Sequence, residues 1–119
     1  MFENGAKLYL PVRKGEGCTS DANFLRVEVS YNLGGMNYFT YKNEPRGYYM
    51  HVTPVRRSVT GGVAMEEYGA FSGIKQCILE VSRKSKGKEA EAVHLAERYI
   101  QRLIDQVCGK YGLEVIDNA

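Results

Sequence analysis

Six aromatic residues, Tyr31, Tyr38, Phe39, Tyr41, Tyr48 and Tyr49, fall in one short stretch, with Arg26, Lys42, Arg46, Arg56 and Arg57 among and around them. Flat rings presented on a sheet can stack unpaired bases, each typically worth about 1–3 kcal/mol, while nearby cations hold the intervening phosphates. Tyr and Phe are also favoured in strands for packing alone, because aromatic cross-strand pairs stabilise a sheet with no ligand. On the first reading, Arg26, Tyr38, Phe39, Tyr41, Lys42, Arg46, Tyr49, Arg56 and Arg57 are the candidate contacts to single-stranded DNA or RNA.

Other chemistry has less to build on. His51 lies in a strand-like segment and His94 in a helical one, beside Glu91 and Glu97, and neither has liganding residues at metal spacing. Cys18, Cys77 and Cys108 are odd in number and widely spaced, which argues against a disulfide framework and against a zinc site. Cys18 with His51 would make a thiol–imidazole pair only if separate segments brought them together. Tyr38 and Lys42 have the four-residue spacing of the short-chain dehydrogenase pair, but no glycine-rich phosphate loop accompanies them. Gly34-Gly35 and Gly61-Gly62 precede strands instead of helices, and Glu66 and Glu67 would point to opposite faces of a strand. No catalytic residue, metal ligand or cofactor site is expected, and an enzyme is the most distant of the function classes.

The chain of 119 residues suits one domain, expected over 1–119, with a core large enough to fold without metals or crosslinks. Its net charge of +2 is too small to imply nucleic-acid binding by itself, although the cations concentrate before Arg57. The N-terminal residues lack a basic segment followed by an apolar one, and no long apolar run occurs, so a cytoplasmic protein with no membrane partner is expected.

The elements that must position these residues follow from hydrophobic periodicity. Lys7–Arg13 alternates and reads as an edge strand tolerant of Pro11, and Lys14–Ala22 reads as a loop. Phe24–Tyr31 places Leu25, Val27, Val29 and Tyr31 on one face. The turn Asn32-Leu33-Gly34-Gly35 then leads to a strand over Met36–Lys42, and Asn43–Gly47 turns into another over Tyr48–Arg57, where Pro54 marks a bulge or an end. After Thr60-Gly61-Gly62, Val63–Phe71 returns as a further strand. Ser72 can cap a helix bearing Ile74, Cys77, Ile78 and Val81, with a short strand over Cys77–Val81 as the alternative. Lys88–Tyr111 is a helix capped by Gly109 or Gly112, and Leu113–Ile116 a closing strand.

The expected fold is therefore α+β: a curved antiparallel sheet of four to five strands in a meander, over about 6–71, then one or two helices over about 73–112. The last helix carries Val93, Ala96, Ile100, Leu103 and Val107 as one seam, with Leu95, Tyr99 and Ile104 widening it. That surplus has two readings: it packs within the chain's own core, or it makes a homodimer through Val93, Ala96, Ile100, Leu103 and Val107.

Strands followed by a long helix over Phe24–Tyr111 resemble, in topology, the single-stranded nucleic-acid binding folds of the PUR-repeat, Whirly and positive-cofactor coactivator groups. The resemblance implies a curved sheet that binds unpaired strands and a helix that packs on the sheet or pairs two copies. Gly47–Arg57, with Ala70-Phe71-Ser72-Gly73, is also similar in character to small proteins of bacterial mobile elements. That similarity implies a second class of function, in which an exposed apolar or aromatic sheet face binds a protein partner.

Overall fold

The structure, a computed structural model, describes residues 7–17, 21–38, 41–59, 65–68, 73–82 and 87–116. It has an α+β architecture, a curled antiparallel sheet with one C-terminal helix. The strands are β1 (Lys7–Lys14), β2 (Phe24–Asn32), β3 (Gly35–Asn37), β4 (Lys42–Glu44), β5 (Gly47–Val59), β6 (Met65–Tyr68), β7 (Ile74–Glu80) and β8 (Leu113–Val115), with α1 at Glu89–Tyr111. The main sheet runs β6-β5-β2-β1-β8, with β7 also on β5, while β3 and β4 pair only with each other.

Alternation sets the two faces. Leu25, Val27 and Val29 are wholly buried, and their cross-strand partners Pro54, Val52 and Met50 are buried with them. Leu8 and Leu10 extend this layer on β1. Helix α1 covers it with Ala92, Ala96, Leu103, Ile104 and Val107, packing against β2, β5, β7 and β8. Gly112 ends the helix at φ 68, the left-handed conformation that glycine adopts without Cβ strain, and its N–H donates to the carbonyl of Cys108. No helix among the described residues is long and apolar enough to cross a membrane.

Three expected elements differ from those observed. Residues 74–80 form strand β7 and not a Ser72-capped helix; Ser72 lies outside the described residues. The reason is non-local: Gly47–Val52 of β5 needs a second ladder partner, and Ile74–Glu80 supplies it. A register shift at Tyr48/Tyr49 makes Ile78 the extra residue, and Ile78 is buried in the core. The described residues of the strand expected over Met36–Lys42 do not join the main sheet, because β2 pairs directly with β5 from Phe24↔Val55 to Asn32↔Gly47. Met36 and Asn37 instead pair with Asn43 and Lys42 in the separate β3–β4 ladder. Strand β1 is not an edge along its whole length, since Val12–Lys14 pair with β8. Pro54 ends nothing: β5 continues through it. Thr53–Val55 fall between the β7 ladder (47–52) and the β6 ladder (56–59), so the proline's missing N–H falls in that gap.

Three residues of the expected dimer seam are covered within the single chain. Ala96, Leu103 and Val107 have no exposed surface within one chain, because the curled sheet covers them; Val93 and Ile100 are half-buried. The three buried positions are part of the chain's own core, the first of the two readings of the helix's apolar surplus.

Candidate nucleic-acid interface

The candidate residues fall into separate groups. The first is a projection at the Asn32/Gly47 end of the main sheet. Asn32 accepts a hydrogen bond at Oδ1 from the Gly34 N–H at 2.8 Å, an Asx turn that diverts the chain from β2. Gly34, at φ 82, sits so close to Glu44 O and Arg46 N that a Cβ there would clash with backbone. The β3–β4 ladder pairs Gly35 with Glu44, Met36 with Asn43 and Asn37 with Lys42. Its turn is closed by the Tyr41 N–H donating to Asn37 O at 2.7 Å, with Tyr41 itself at φ 56.

This turn presents Tyr38 and Tyr41 at 78% and 80% exposure. Leu33 and Met36 are exposed on the same projection, and Tyr31 is exposed at its base. The Tyr31 ring meets the buried Tyr48 ring edge-on at 5.2 Å and its hydroxyl accepts from Arg46 Nη1 at 3.1 Å. Tyr31 is thus a fixed ring, whereas Tyr38 and Tyr41 stand clear.

The projection's charge is set by Lys75 on β7. Its ammonium lies 2.8 Å from Glu44 Oε1 and 2.6 Å from Oε2, and that hydrogen bond holds the Glu44 carboxyl below its ordinary range. Asn37 Nδ2 donates to the same carboxylate at 3.3 Å. With Glu44 so committed, Lys42 and Arg46 are the charges of the projection that have no ion pair among the described residues.

Tyr49 does not belong to this group. It is 3% exposed and its hydroxyl donates to Pro45 O at 2.7 Å. Burial, with the neighbouring Cys77 adding to it, pushes this phenol up to about 12. It is a structural residue joining β5 to the base of the projection, and no stacking surface is left on it. Phe39 lies outside the described residues, as do Cys18 and Gly61-Gly62.

The second group occupies the sheet face opposite the helix. Arg26 lies there beside Glu28 at 3.8 Å, and Arg57 lies over Tyr9. Ser30 Oγ and His51 Nε2 are within hydrogen-bond distance, 3.1 Å, on the same face, a contact not anticipated from the sequence. Desolvation moves His51 below its usual value, with Glu28 opposing. Arg56 is exposed and donates from Nη1 to Asp21 O at 3.1 Å. Arg46 immediately precedes β5 and Arg56 lies nine residues past its first residue, Gly47, about 30 Å at the rise of a strand, so the expected constellation is not one compact site.

Tyr38, Tyr41, Lys42 and Arg46 are therefore brought together, with Tyr31, Leu33 and Met36 as neighbours outside the expected set. The Asn32–Gly35 turn was the available signal for Leu33 and Met36, since residues flanking an outward turn lose their sheet partners. No group of three or more His, Cys, Asp or Glu side chains that could hold a metal occurs among the described residues. Comparison of the chain with protein-family profiles, curated proteins and solved structures gives no match.

Proposed function

We propose that the chain is a non-catalytic binding module for single-stranded nucleic acid and that the β3–β4 projection makes the contact. The observation that carries this reading is the exposure of Tyr38 and Tyr41 at 78% and 80% on one turn, next to Lys42. Exposed rings of this size have no packing role, and unpaired bases offer them π-faces at about 1–3 kcal/mol each. Lys42 and Arg46 supply charge for the phosphates between the stacked bases. On this reading the protein acts in the cytoplasm.

Fluorescence polarisation with labelled single-stranded DNA, single-stranded RNA and duplex DNA, at low and moderate salt, tests the proposal. Single strands should bind and duplex should bind more weakly, since paired bases cannot stack on the tyrosines. Absence of single-strand binding at low salt would overturn it.

A second reading, an accessory protein of a mobile element that binds a protein partner, is favoured by Leu33 and Met36. They are 67% and 46% exposed beside the tyrosines, and a nucleic-acid strand gives aliphatic side chains little to bury against. The two readings separate on salt: phosphate contacts make log affinity fall linearly with log salt, and an apolar protein interface does not.

A further inference from the structure

The projection exposes aliphatic side chains that base stacking and phosphate contact leave unused. We propose that it takes thymine-bearing single-stranded DNA in preference to RNA, with Leu33 and Met36 receiving thymine 5-methyl groups beside bases stacked on Tyr38 and Tyr41. This rests on the single-strand reading above and names the strand that the projection selects.

The β3–β4 ribbon has two faces of different character. Residues paired across an antiparallel ladder share a face, so Asn37 and Lys42 lie on one with Glu44, and Met36 and Asn43 lie on the other. The first face is polar: Asn37 Nδ2 and the Lys75 ammonium both donate to the Glu44 carboxylate. The second face carries the exposed Met36, two residues before Tyr38. Two residues of extended chain span about 7 Å, which a base on the Tyr38 ring and the flexible Met36 side chain can bridge. Leu33 is exposed in the turn that leads into β3, where Gly34 packs directly on the backbone of Glu44 and Arg46 and so keeps that turn against the ribbon. Neither Leu33 nor Met36 belongs to the core cluster of the chain.

A nucleic-acid strand offers such side chains few apolar groups. Phosphates and sugars are polar, and base edges are donors and acceptors apart from the 5-methyl of thymine, which uracil lacks. Taking one methyl out of water against an aliphatic side chain is worth about fourfold in affinity. Aliphatic residues beside the stacking rings therefore tell DNA from RNA at the base, without a contact to the 2′-hydroxyl. Lys42, on the polar face, leaves the methyl-binding face free of charge and supplies the phosphate contact from the other side of the ribbon.

Fluorescence polarisation with labelled oligothymidylate and oligodeoxyuridylate of equal length tests the inference, because the two differ only in the methyl groups; oligouridylate adds the RNA sugar. The wild type should bind oligothymidylate at least about fourfold more tightly than oligodeoxyuridylate, and oligouridylate no more tightly than the latter. Leu33→Asn combined with Met36→Gln, both at exposed positions, should bring the two deoxy strands within about twofold of each other and leave oligodeoxyuridylate within about twofold of its wild-type affinity. Equal wild-type affinity for the two deoxy strands would overturn the inference, leave the single-strand reading intact and return Leu33 and Met36 to a protein partner. A thymine preference that survives in the double variant would also overturn it. Binding of neither strand at low salt would overturn both this inference and the reading beneath it.

Discussion

Leu103→Ala separates a helix that covers its own sheet from one that faces a second copy. Leu103 has no exposed surface in the single chain and lies in the core cluster with Leu25, Val27, Val52 and Val107. Truncation loses the transfer free energy of the removed carbons and leaves a cavity under a helix whose other buried residues, Ala92, Ala96, Ile104 and Val107, hold it on the sheet. Leu→Ala changes of this kind cost about 2–5 kcal/mol, and a wholly buried position belongs in the middle, about 3–4 kcal/mol. Unfolding entropy near the midpoint is about 250 cal/mol/K for a chain of 119 residues, so each kcal/mol lowers Tm by about 4 °C. The expected drop is then about 12–16 °C, a large share of a typical stability of about 5–15 kcal/mol. Urea unfolding with a thermal melt measures it, and Glu97→Ala, an exposed position on the same helix, should shift Tm by less than about 2 °C. A Leu103→Ala loss below about 1 kcal/mol would refute the packing described above. So would a variant of unchanged stability that alters the oligomeric state in light scattering.

Three further outcomes follow from the fold. Gly47→Ala should destabilise by more than a surface change, because a Cβ at Gly47 would collide with the backbone of Leu79 and Glu80 on β7; a stability loss under about 0.5 kcal/mol by urea melt would show that β5 and β7 do not approach as described. His51 is held by desolvation below its usual 6.5, so it stays neutral in the fold while the unfolded chain charges. Its contribution to stability is complete above about pH 6.5 and is lost as pH falls toward the lowered folded value. Urea melts across that window should show declining stability in the wild type and a flatter profile in His51→Gln; an identical decline in the variant would assign it to other groups. Lys75→Met should raise the Glu44 pKa, read from its side-chain carboxyl shift by NMR, since the Lys75 hydrogen bond is the leading cause of its lowering; an unmoved pKa would remove that bridge from the base of the projection.

How much of this was legible depended on whether the deciding contact was local. Strand β2 was readable because Leu25, Val27 and Val29 alternate with polar residues, and α1 because its apolar spacing of three and four ends at Gly112. Strand β7 was ambiguous because Ile74, Cys77, Ile78 and Val81 fit a helix locally, while the open edge of β5 that captures them is set elsewhere in the chain. The surplus apolar width of α1 suggested a second copy, but a curled sheet covers a wider arc of helix than a flat one and absorbs Ala96, Leu103 and Val107. In the candidate site, aromatic and basic composition was visible and placement was not. Tyr48 and Tyr49 look like Tyr38 and Tyr41 in sequence, yet pairing of β2 with β5 buries the first two and leaves the second two on the projection. The stacking of Arg57 on Tyr9 joins strands distant in sequence and left no local trace.

Fluorescence polarisation of a labelled oligothymidylate with wild type, Tyr38→Ala, Tyr41→Ala and the double variant tests the central claim most directly. Tyr49→Phe serves as the buried control. If each ring stacks one base at about 1–3 kcal/mol, each single variant should raise Kd by about 5- to 150-fold, and the double variant should approach the product of the two. Tyr49→Phe should leave Kd within about twofold, because its hydroxyl points at Pro45 and not at solvent. Wild-type binding that survives loss of both Tyr38 and Tyr41 at unchanged affinity would contradict the assignment of the projection as the interface, and no wild-type binding at low salt would contradict the function itself.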